Sequence, residues 1–301
     1  IKRKFMDSPP LVSIICLCYN QKDFVAAAIR SVLGQTYENI ELIVVDDASN
    51  DGSKEVIKKE LKGTSIPFID LQENVGHCQA FNMAYQQSKG AFIIDLAADD
   101  LLLPTRVEVG INDLINQSDQ TAVHFSDAFT ISETGDVTGT HYDRHEDGKI
   151  KRKIPSGNLY KKLIERYFIC PPSMMFRRTV LEHLNGYDED LVYEDFDFWI
   201  RSSRSFHYTF NPAPLVKRRV LKRSDSTNQF ALRSKHAFST FKVCEKIFDL
   251  NEKPEEDRAL IRRCKYEIVQ CSKTINFSLI PKYWRLIKKT KSRLRSPKSH
   301  L

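Results

Sequence analysis

The feature that most limits this chain is the alternation of two hydrophobic periods through its first hundred residues. Apolar runs of strand length occupy 11–18 and 40–45, the second leading into Asp46-Asp47. Between them, 24–33 carries apolar residues at helical spacing. After them, Ser49-Asn50-Asp51-Gly52 reads as a turn and helix N-cap, opening a helix that runs to about Leu61. Third and fourth strands are expected at 66–71 and 91–96, separated by a helix over 77–88 that ends at Gly90. The order is β-α-β-α-β-α-β. Strands that are apolar along their whole length and joined by helices require a sheet covered on both faces. Such parallel sheets bind ligands beyond the carboxyl ends of their strands.

Past Pro104 the alternation loosens into a mixed second half. A helix is expected over 105–116, two short strands within 121–131, a polar loop rich in Gly, Asp and His over 133–149, and a helix near 156–167. A strand at 173–176, a helix at 178–184, a helix opening at Glu194-Asp195, and strands at 207–210 and 215–221 follow. From 228 onward the pattern is helical, with Phe241, Cys244, Ile247 and Phe248 on one apolar stripe.

Seven cysteines stand singly in apolar segments or, as Cys16 and Cys18, two apart on one strand. No second pair or adjacent histidine completes a metal site, so they read as core residues of a chain kept in a reducing compartment. No apolar run reaches the roughly 18 residues of a transmembrane helix. The net charge of +7 is concentrated: 282–301 holds eight Lys or Arg and no acid, which leaves the rest near neutral. A nucleic-acid binder would spread its basic residues over the fold, and no nucleic-acid partner is expected. The same tail interleaves Phe277, Leu279, Ile280, Tyr283, Trp284, Leu286, Ile287 and Leu294 with the cations. That is the composition of an interfacial anchor, so an anionic membrane surface is the expected partner of 277–301, with the protein peripheral on the cytoplasmic side.

Three places carry chemistry. Strand one is followed by Tyr19-Asn20-Gln21-Lys22-Asp23, which has neither G-x-G-x-x-G nor a Walker lysine loop, so no dinucleotide or ATPase phosphate cradle stands there. An aromatic and an amide in that position, with Asp46-Asp47 after strand two, suit the ring and imide of a nucleobase. Asp99-Asp100 at the end of strand four can hold Mg²⁺ or Mn²⁺ while leaving positions open for phosphate oxygens; the blander alternative is a helix-capping acid before Pro104 and Thr105. Glu194-Asp195-Phe196-Asp197 sets acids at a helix start, as a base or as compensation for the helix dipole.

Taken in order, these segments resemble the family 2 glycosyltransferases with the GT-A fold, of the bacterial polysaccharide and glycolipid type. The match runs through Val12-Ser13-Ile14-Ile15, Tyr19-Asn20, 31–36, 44–53, Asn74-Val75-Gly76, Asp99-Asp100 to Pro104, Gly186-Tyr187-Asp188-Glu189 and Glu194-Asp195 to Arg201. The resemblance implies an α/β, Rossmann-like, mostly parallel sheet with helices on both faces over 9–227, followed by a helical extension over 228–301. Within it, 9–104 would be the nucleotide-binding half and 105–227 the acceptor half. The implied activity is inverting transfer of a hexosyl or N-acetylhexosaminyl group from a nucleotide-sugar, foremost a UDP-sugar, to a hydroxyl of a glycan or lipid-linked acceptor, with Mn²⁺ or Mg²⁺. By position, Tyr19 would stack on the base and Asp47 bind its imide, with Asn20, Asn74 and Asp100 completing the nucleotide site. Asp99 would hold the metal and Asp195 act as general base. Glu194, Gly186, Tyr187, Pro172, Ser173 and Trp199 would line the acceptor side, and Arg219 and Ser224 would reach the diphosphate.

Three positions depart from the family pattern. Ala97 stands where the first acid of D-x-D is usual, and Asp95, on the same strand face, lies two residues deeper. Phe81 replaces a frequent arginine and Leu221 a frequent histidine. A non-catalytic partner subunit therefore stays open as an alternative, and a sugar nucleotidyltransferase as a weaker one, since the latter calls for a glycine-rich basic loop after strand one.

Overall fold

A computed structural model describes residues 8–221 and 234–295, which fall into two compact units. The first takes the described parts of 1–157, 169–188 and 206–221; the second takes those of 158–168, 189–205 and 222–301. The second unit thus draws two segments from within 9–227 to the C-terminal helices.

The first unit is built on a nine-stranded sheet. Strands β1 (Val12–Cys18), β2 (Ile40–Asp46), β3 (Phe68–Asp70) and β4 (Phe92–Ala97) alternate with helices α1 (Val25–Leu33), α2 (Ser53–Glu60) and α3 (His77–Gln87), as the periodicity requires. Every residue of β1 is buried, the mark of a strand covered on both faces. Helix α1 turns Val25, Ala28, Ile29 and Val32 inward at helical spacing. Parallel pairing places Cys18 beside Asp46 and Leu17 beside Ala97, so the loops after β1, β2 and β4 leave the sheet side by side.

Beyond a two-residue β5 (Leu101–Leu102) and α4 (Arg106–Ile115), the sheet continues with β6 (Thr121–Ile131), β7 (Val137–Thr140), β8 (Met175–Arg177) and β9 (His207–Arg219). The order is β3-β2-β1-β4-β8-β6-β9-β5, with β7 on β6. Strand β8 is antiparallel to both β4 and β6, whereas β9 runs parallel to β6. Two expectations change here. The segment 121–131 is one strand rather than two, and 207–219 is likewise continuous despite Pro212 and Pro214. The β6–β9 register shifts on either side of Asp127, opposite Asn211 to Pro214, and that irregularity accommodates prolines that donate no ladder hydrogen bond. The polar loop contains β7, and the start of the expected strand at 173–176 is instead a 3₁₀ turn, Pro171–Ser173.

The second unit consists of α5 (Tyr160–Glu165), α7 (Asp195–Ser205), α8 (Lys235–Leu250), α9 (Pro254–Lys273) and α10 (Ile280–Arg295); α6 (Arg178–Leu184) belongs to the first. The stripe Phe241, Cys244, Ile247 and Phe248 is buried, and Tyr283, Leu286 and Ile287 of α10 are buried as well, Tyr283 standing edge-on to Phe241 at 4.9 Å. This alters the expectation of a free amphipathic tail. Leu279, Tyr283, Leu286 and Ile287 belong to the unit's own core, Ile280 and Leu294 are half-buried, and Phe277 and Trp284 reach solvent with the described cations other than Arg293, which pairs with Asp257. All seven cysteines are buried and none forms a disulfide. Among the described residues, no helix is long and apolar enough to cross a membrane.

Candidate active site

The carboxyl ends of β1, β2 and β4 gather the donor-side candidates of the first unit. Tyr19 leaves β1 half-exposed, with its ring open to stacking. Asn20 follows with φ 54°, a left-handed conformation that asparagine tolerates better than most residues. Its side chain is used locally: Asn50 N–H donates to Asn20 Oδ1 at 2.9 Å, and Asn20 N–H donates to Ser49 Oγ at 2.9 Å. Gln21 N–H to Ser53 Oγ and Lys22 N–H to Asp51 Oδ2 extend the lacing. The Ser49-to-Ser53 cluster therefore opens α2 and also ties the loop after β2 to the loop after β1.

Asp47 is buried, and its two oxygens accept the N–H groups of Val75 at 2.8 Å and Gly76 at 3.0 Å. Asn74 Nδ2 donates to the Asp47 carbonyl. Asp47 and Asn74 thus meet in an arrangement that braces the loop before α3, where Gly76 takes φ 86°. Each carboxylate oxygen keeps a second lone pair for a nucleobase N–H. Asp46 is almost fully buried; its Oδ2 accepts Ser49 N–H, while Oδ1 has no hydrogen-bond partner among the described residues. A buried carboxylate oxygen without a partner is costly, and here it stands where the β1 and β2 loops emerge.

Asp99 and Asp100 end the turn after β4. Asp100 is buried and accepts Arg219 N–H at 2.7 Å; burial, and then the neighbouring Asp99 charge, push its carboxyl well above the usual range. Asp99 is half-buried, and burial raises it too, with Gln21, Arg219 and Arg218 offsetting part of that rise. Two adjacent acids in a poorly solvated place are under-compensated, a condition that a divalent cation relieves. The donor set fits Mg²⁺ or Mn²⁺: hard oxygens only, and few of them, as these ions need when phosphates and water fill the remaining positions.

Arg219 proves to be largely a brace. Its Nε donates to the Asp99 carbonyl at 3.0 Å, Nη1 donates to the carbonyls of Ser132 and Glu133, and the guanidinium stacks on Phe24 at 4.5 Å. Among the described residues, no hydrogen bond takes its Nη2. Ser224 lies outside the described residues. Asp95, two residues deeper than Ala97, is engaged through Oδ2 by His77 Nε2 at 2.8 Å and by the Tyr187 hydroxyl at 3.2 Å, while its buried Oδ1 has no hydrogen-bond partner among the described residues.

The acceptor candidates divide. In the first unit, Asn82 clamps the Gly186–Tyr187 backbone, accepting Tyr187 N–H and donating to its carbonyl, both at 2.9 Å. Gly186 has φ 79°, and a Cβ there would lie 2.7 Å from Asn82 Oδ1, so both conformation and space call for glycine. Tyr187 is buried, stacked at 4.3 Å on Phe81, which explains an aromatic rather than an arginine at 81. Ser173 is buried in the 3₁₀ turn, donating to the Cys170 carbonyl and accepting Ser126 N–H; Pro172 beside it is half-buried. In the second unit, Glu194 and Asp195 are half-buried at the start of α7, and Trp199 one turn later packs on Tyr167. Sequence reading passed over Gln21 and Arg218 beside Asp99, whose only signal was proximity to a strand end.

The glycosyl transferase family 2 profile matches residues 13–184. The chain belongs to that family. It is 29% identical over 244 residues, 78% of its length and 79% of the relative's, to an uncharacterized glycosyltransferase of Methanocaldococcus jannaschii. It is 40% identical over 97 residues, 32% of the chain and 38% of the relative, to an Escherichia coli UDP-Glc:alpha-D-GlcNAc-diphosphoundecaprenol beta-1,3-glucosyltransferase, WfaP. Among solved structures it resembles S. aureus TarS 1–349 in complex with UDP-GlcNAc (TM-score 0.61, 13% identity, 95% of this chain and 91% of that one). It also resembles the Pyrobaculum calidifontis mannosyltransferase PcManGT in complex with GDP-Man and Mn²⁺ (TM-score 0.59, 15% identity, 96% and 84%). The family match makes the chain a glycosyltransferase, and the likeness to the solved structures shows the GT-A fold.

Proposed function

We propose that this glycosyltransferase moves a sugar from a UDP-sugar to an acceptor hydroxyl with inversion at the anomeric carbon, Asp195 acting as the base. The observation that carries the reading is the Asp99-Asp100 pair, under-compensated after β4, next to the strand end from which exposed Tyr19 leaves, since Leu17 pairs with Ala97. Tyr19 stacks on the uracil, and Asp47 accepts its imide N–H through lone pairs left by Val75 and Gly76. Asp99 holds the cation, with Asp100 fixing the turn through Arg219. Mn²⁺ or Mg²⁺, when bound there, supplies the positive charge that stabilises a departing diphosphate. Arg218 and the Nη2 of Arg219 add cationic character on the same side. Asp195 takes the proton of the attacking hydroxyl, and one such base suffices for direct displacement without a covalent intermediate.

The acceptor is proposed to be lipid-linked. The support is chemical: Phe277 and Trp284 stand exposed among the cations of 282–295, a surface suited to an anionic leaflet. The lipid-diphosphate acceptor in WfaP's name agrees with it. Glu194 and Trp199 in the second unit, and Gly186, Tyr187, Pro172 and Ser173 in the first, are each proposed as acceptor-side residues, Tyr187 and Ser173 through their backbone because their hydroxyls are spent internally.

A thermal-shift screen tests the donor and the metal together. UDP-glucose or UDP-N-acetylglucosamine is expected to raise the melting temperature more in Mn²⁺ than in chelator. A shift by GDP-mannose with none from UDP-sugars overturns the uracil assignment, and equal UDP-sugar shifts in metal and chelator overturn the role of Asp99.

A further inference from the structure

In the second unit, the residues on both sides of Glu194-Asp195 are each held by the C-terminal helices. Val192 N–H donates to Ser239 Oγ at 3.1 Å, and the Tyr193 hydroxyl bonds Thr240 Oγ1 at 2.7 Å while its ring stacks on His236. Immediately after the pair, Phe196 is fully buried beneath the Arg263 guanidinium at 4.5 Å, and the same guanidinium covers Tyr167 at 4.0 Å. Asp197, also buried, binds Lys246 Nζ at 2.6 Å through Oδ1 and Arg201 Nε at 2.6 Å through Oδ2. Arg263 is itself buried, with Nε 2.7 Å from Glu267. Contacts at 192, 193, 196 and 197 leave the intervening pair with little backbone freedom.

That pattern is more specific than the packing of a helical appendage. A surface anchor joined to a finished catalytic fold needs an apolar seam and nothing more. Here a buried cation stacked on two rings and a buried carboxylate shared by two cations converge on one helical turn. Such groups are costly to bury, and a carboxylate held on both oxygens, as Asp197 is, locks orientation. We infer that α8 and α9 are the mould for the catalytic base, with Lys246 and Arg263 as positioning residues that aim Asp195. The inference rests on the reading of Asp195 as base. Misplacement of a reacting group by about 1 Å costs on the order of 10²-fold in rate, so loosening this turn should appear in turnover before it appears in donor affinity.

The test uses the full chain and follows UDP release from UDP-glucose and UDP-N-acetylglucosamine with water as the acceptor, the hydroxyl taking the glycosyl group and its proton passing to the base. Lys246→Met removes the ammonium but keeps an apolar stem, and Thr240→Val removes only the hydroxyl facing Tyr193. For Lys246→Met, kcat should fall by about 10²-fold with the donor KM within twofold of wild type. The acid limb of its pH profile should move upward, since one cation compensating the acid cluster is gone. Lys246→Arg should recover most of the loss, and Thr240→Val should lose several-fold. A merely structural contact would lower the melting temperature and leave kcat and the pH limb of the folded enzyme in place. Such a result in both Lys246→Met and Thr240→Val, alongside an inactive Asp195→Asn, overturns the inference and spares the base. An Asp195→Asn enzyme as active as wild type removes the base assignment, and the inference falls with it.

Discussion

The two compact units hold their acids by different means. In the first, Asp47 and Asp100 are fixed by backbone N–H groups of Val75, Gly76 and Arg219, donors that depend on the backbone path, left-handed at Gly76, and not on a particular side chain. In the second, the turn bearing Glu194 and Asp195 is fixed by particular side chains of α8 and α9: Ser239, Thr240, Lys246 and Arg263. Backbone-held acids depend on the path of the chain and tolerate exchange of their neighbours. Side-chain-held acids are sensitive to single substitutions far away in sequence.

The largest expected effect breaks the chemistry itself. Asp195→Asn, nearly isosteric, should lower kcat by about 10² to 10⁴-fold with UDP-sugar binding intact, because a base in hydrogen-bond reach contributes about that much. Rapid-quench turnover set against donor titration measures both; full loss in Glu194→Gln with Asp195→Asn still active would move the role to the neighbouring acid. Next comes the metal carboxylate. Asp99→Asn should abolish the Mn²⁺-dependent part of UDP binding by calorimetry.

The same calorimetry sharpens the electrostatics. Burial raises Asp99, so its proton is retained at a pH where an ordinary aspartate has lost it. Cation binding must displace that proton, so Mn²⁺-dependent affinity should fall as pH drops through the raised value, by about tenfold per unit below it. The sign for folding is the reverse: without metal, an acid with a raised folded-state pKa favours the fold more as pH falls from that value toward the usual carboxylate range. Metal affinity that is flat with pH would contradict the assignment.

Smaller effects follow. Gly186→Ala combines a left-handed φ with a close approach to Asn82 and should cost about 1–3 kcal/mol of stability by denaturant melts, with most donor affinity retained. At the second unit's surface, a deletion of 282–301 would remove the buried Tyr283, Leu286 and Ile287 and confound folding with binding. Arg285→Glu and Lys288→Glu, both exposed, test the surface cleanly: sedimentation with anionic vesicles should weaken about fivefold or more per position, and high salt should reproduce the loss.

Local pattern was enough to place β1 to β4, α1 to α3 and the acids at their ends, because a fully apolar strand, a Gly-ended helix and a capping cluster are each written in contiguous residues. The family resemblance extended that reading to Asp195. It did not reach the joining of 121–131 and 207–219 into single strands, since the prolines near 212–214 look like breaks until the partner strand supplies the register shift. Nor could it tell that Arg219 would be consumed by three carbonyls, or that Asp95 would be engaged by His77 and Tyr187, because those partners are distant in sequence. The basic-aromatic tail shows the limit most clearly. Composition marks Tyr283, Trp284, Leu286 and Ile287 alike as apolar, and only helix packing decides that three are core and Trp284 is surface. Sequence by itself determined which acids end which elements, since propensity and periodicity act over a few neighbouring residues. Tertiary structure decided which of those acids are braced, which are left under-compensated, and that the C-terminal helices grip the turn of Asp195, because burial and pairing arise only when distant segments exclude water together.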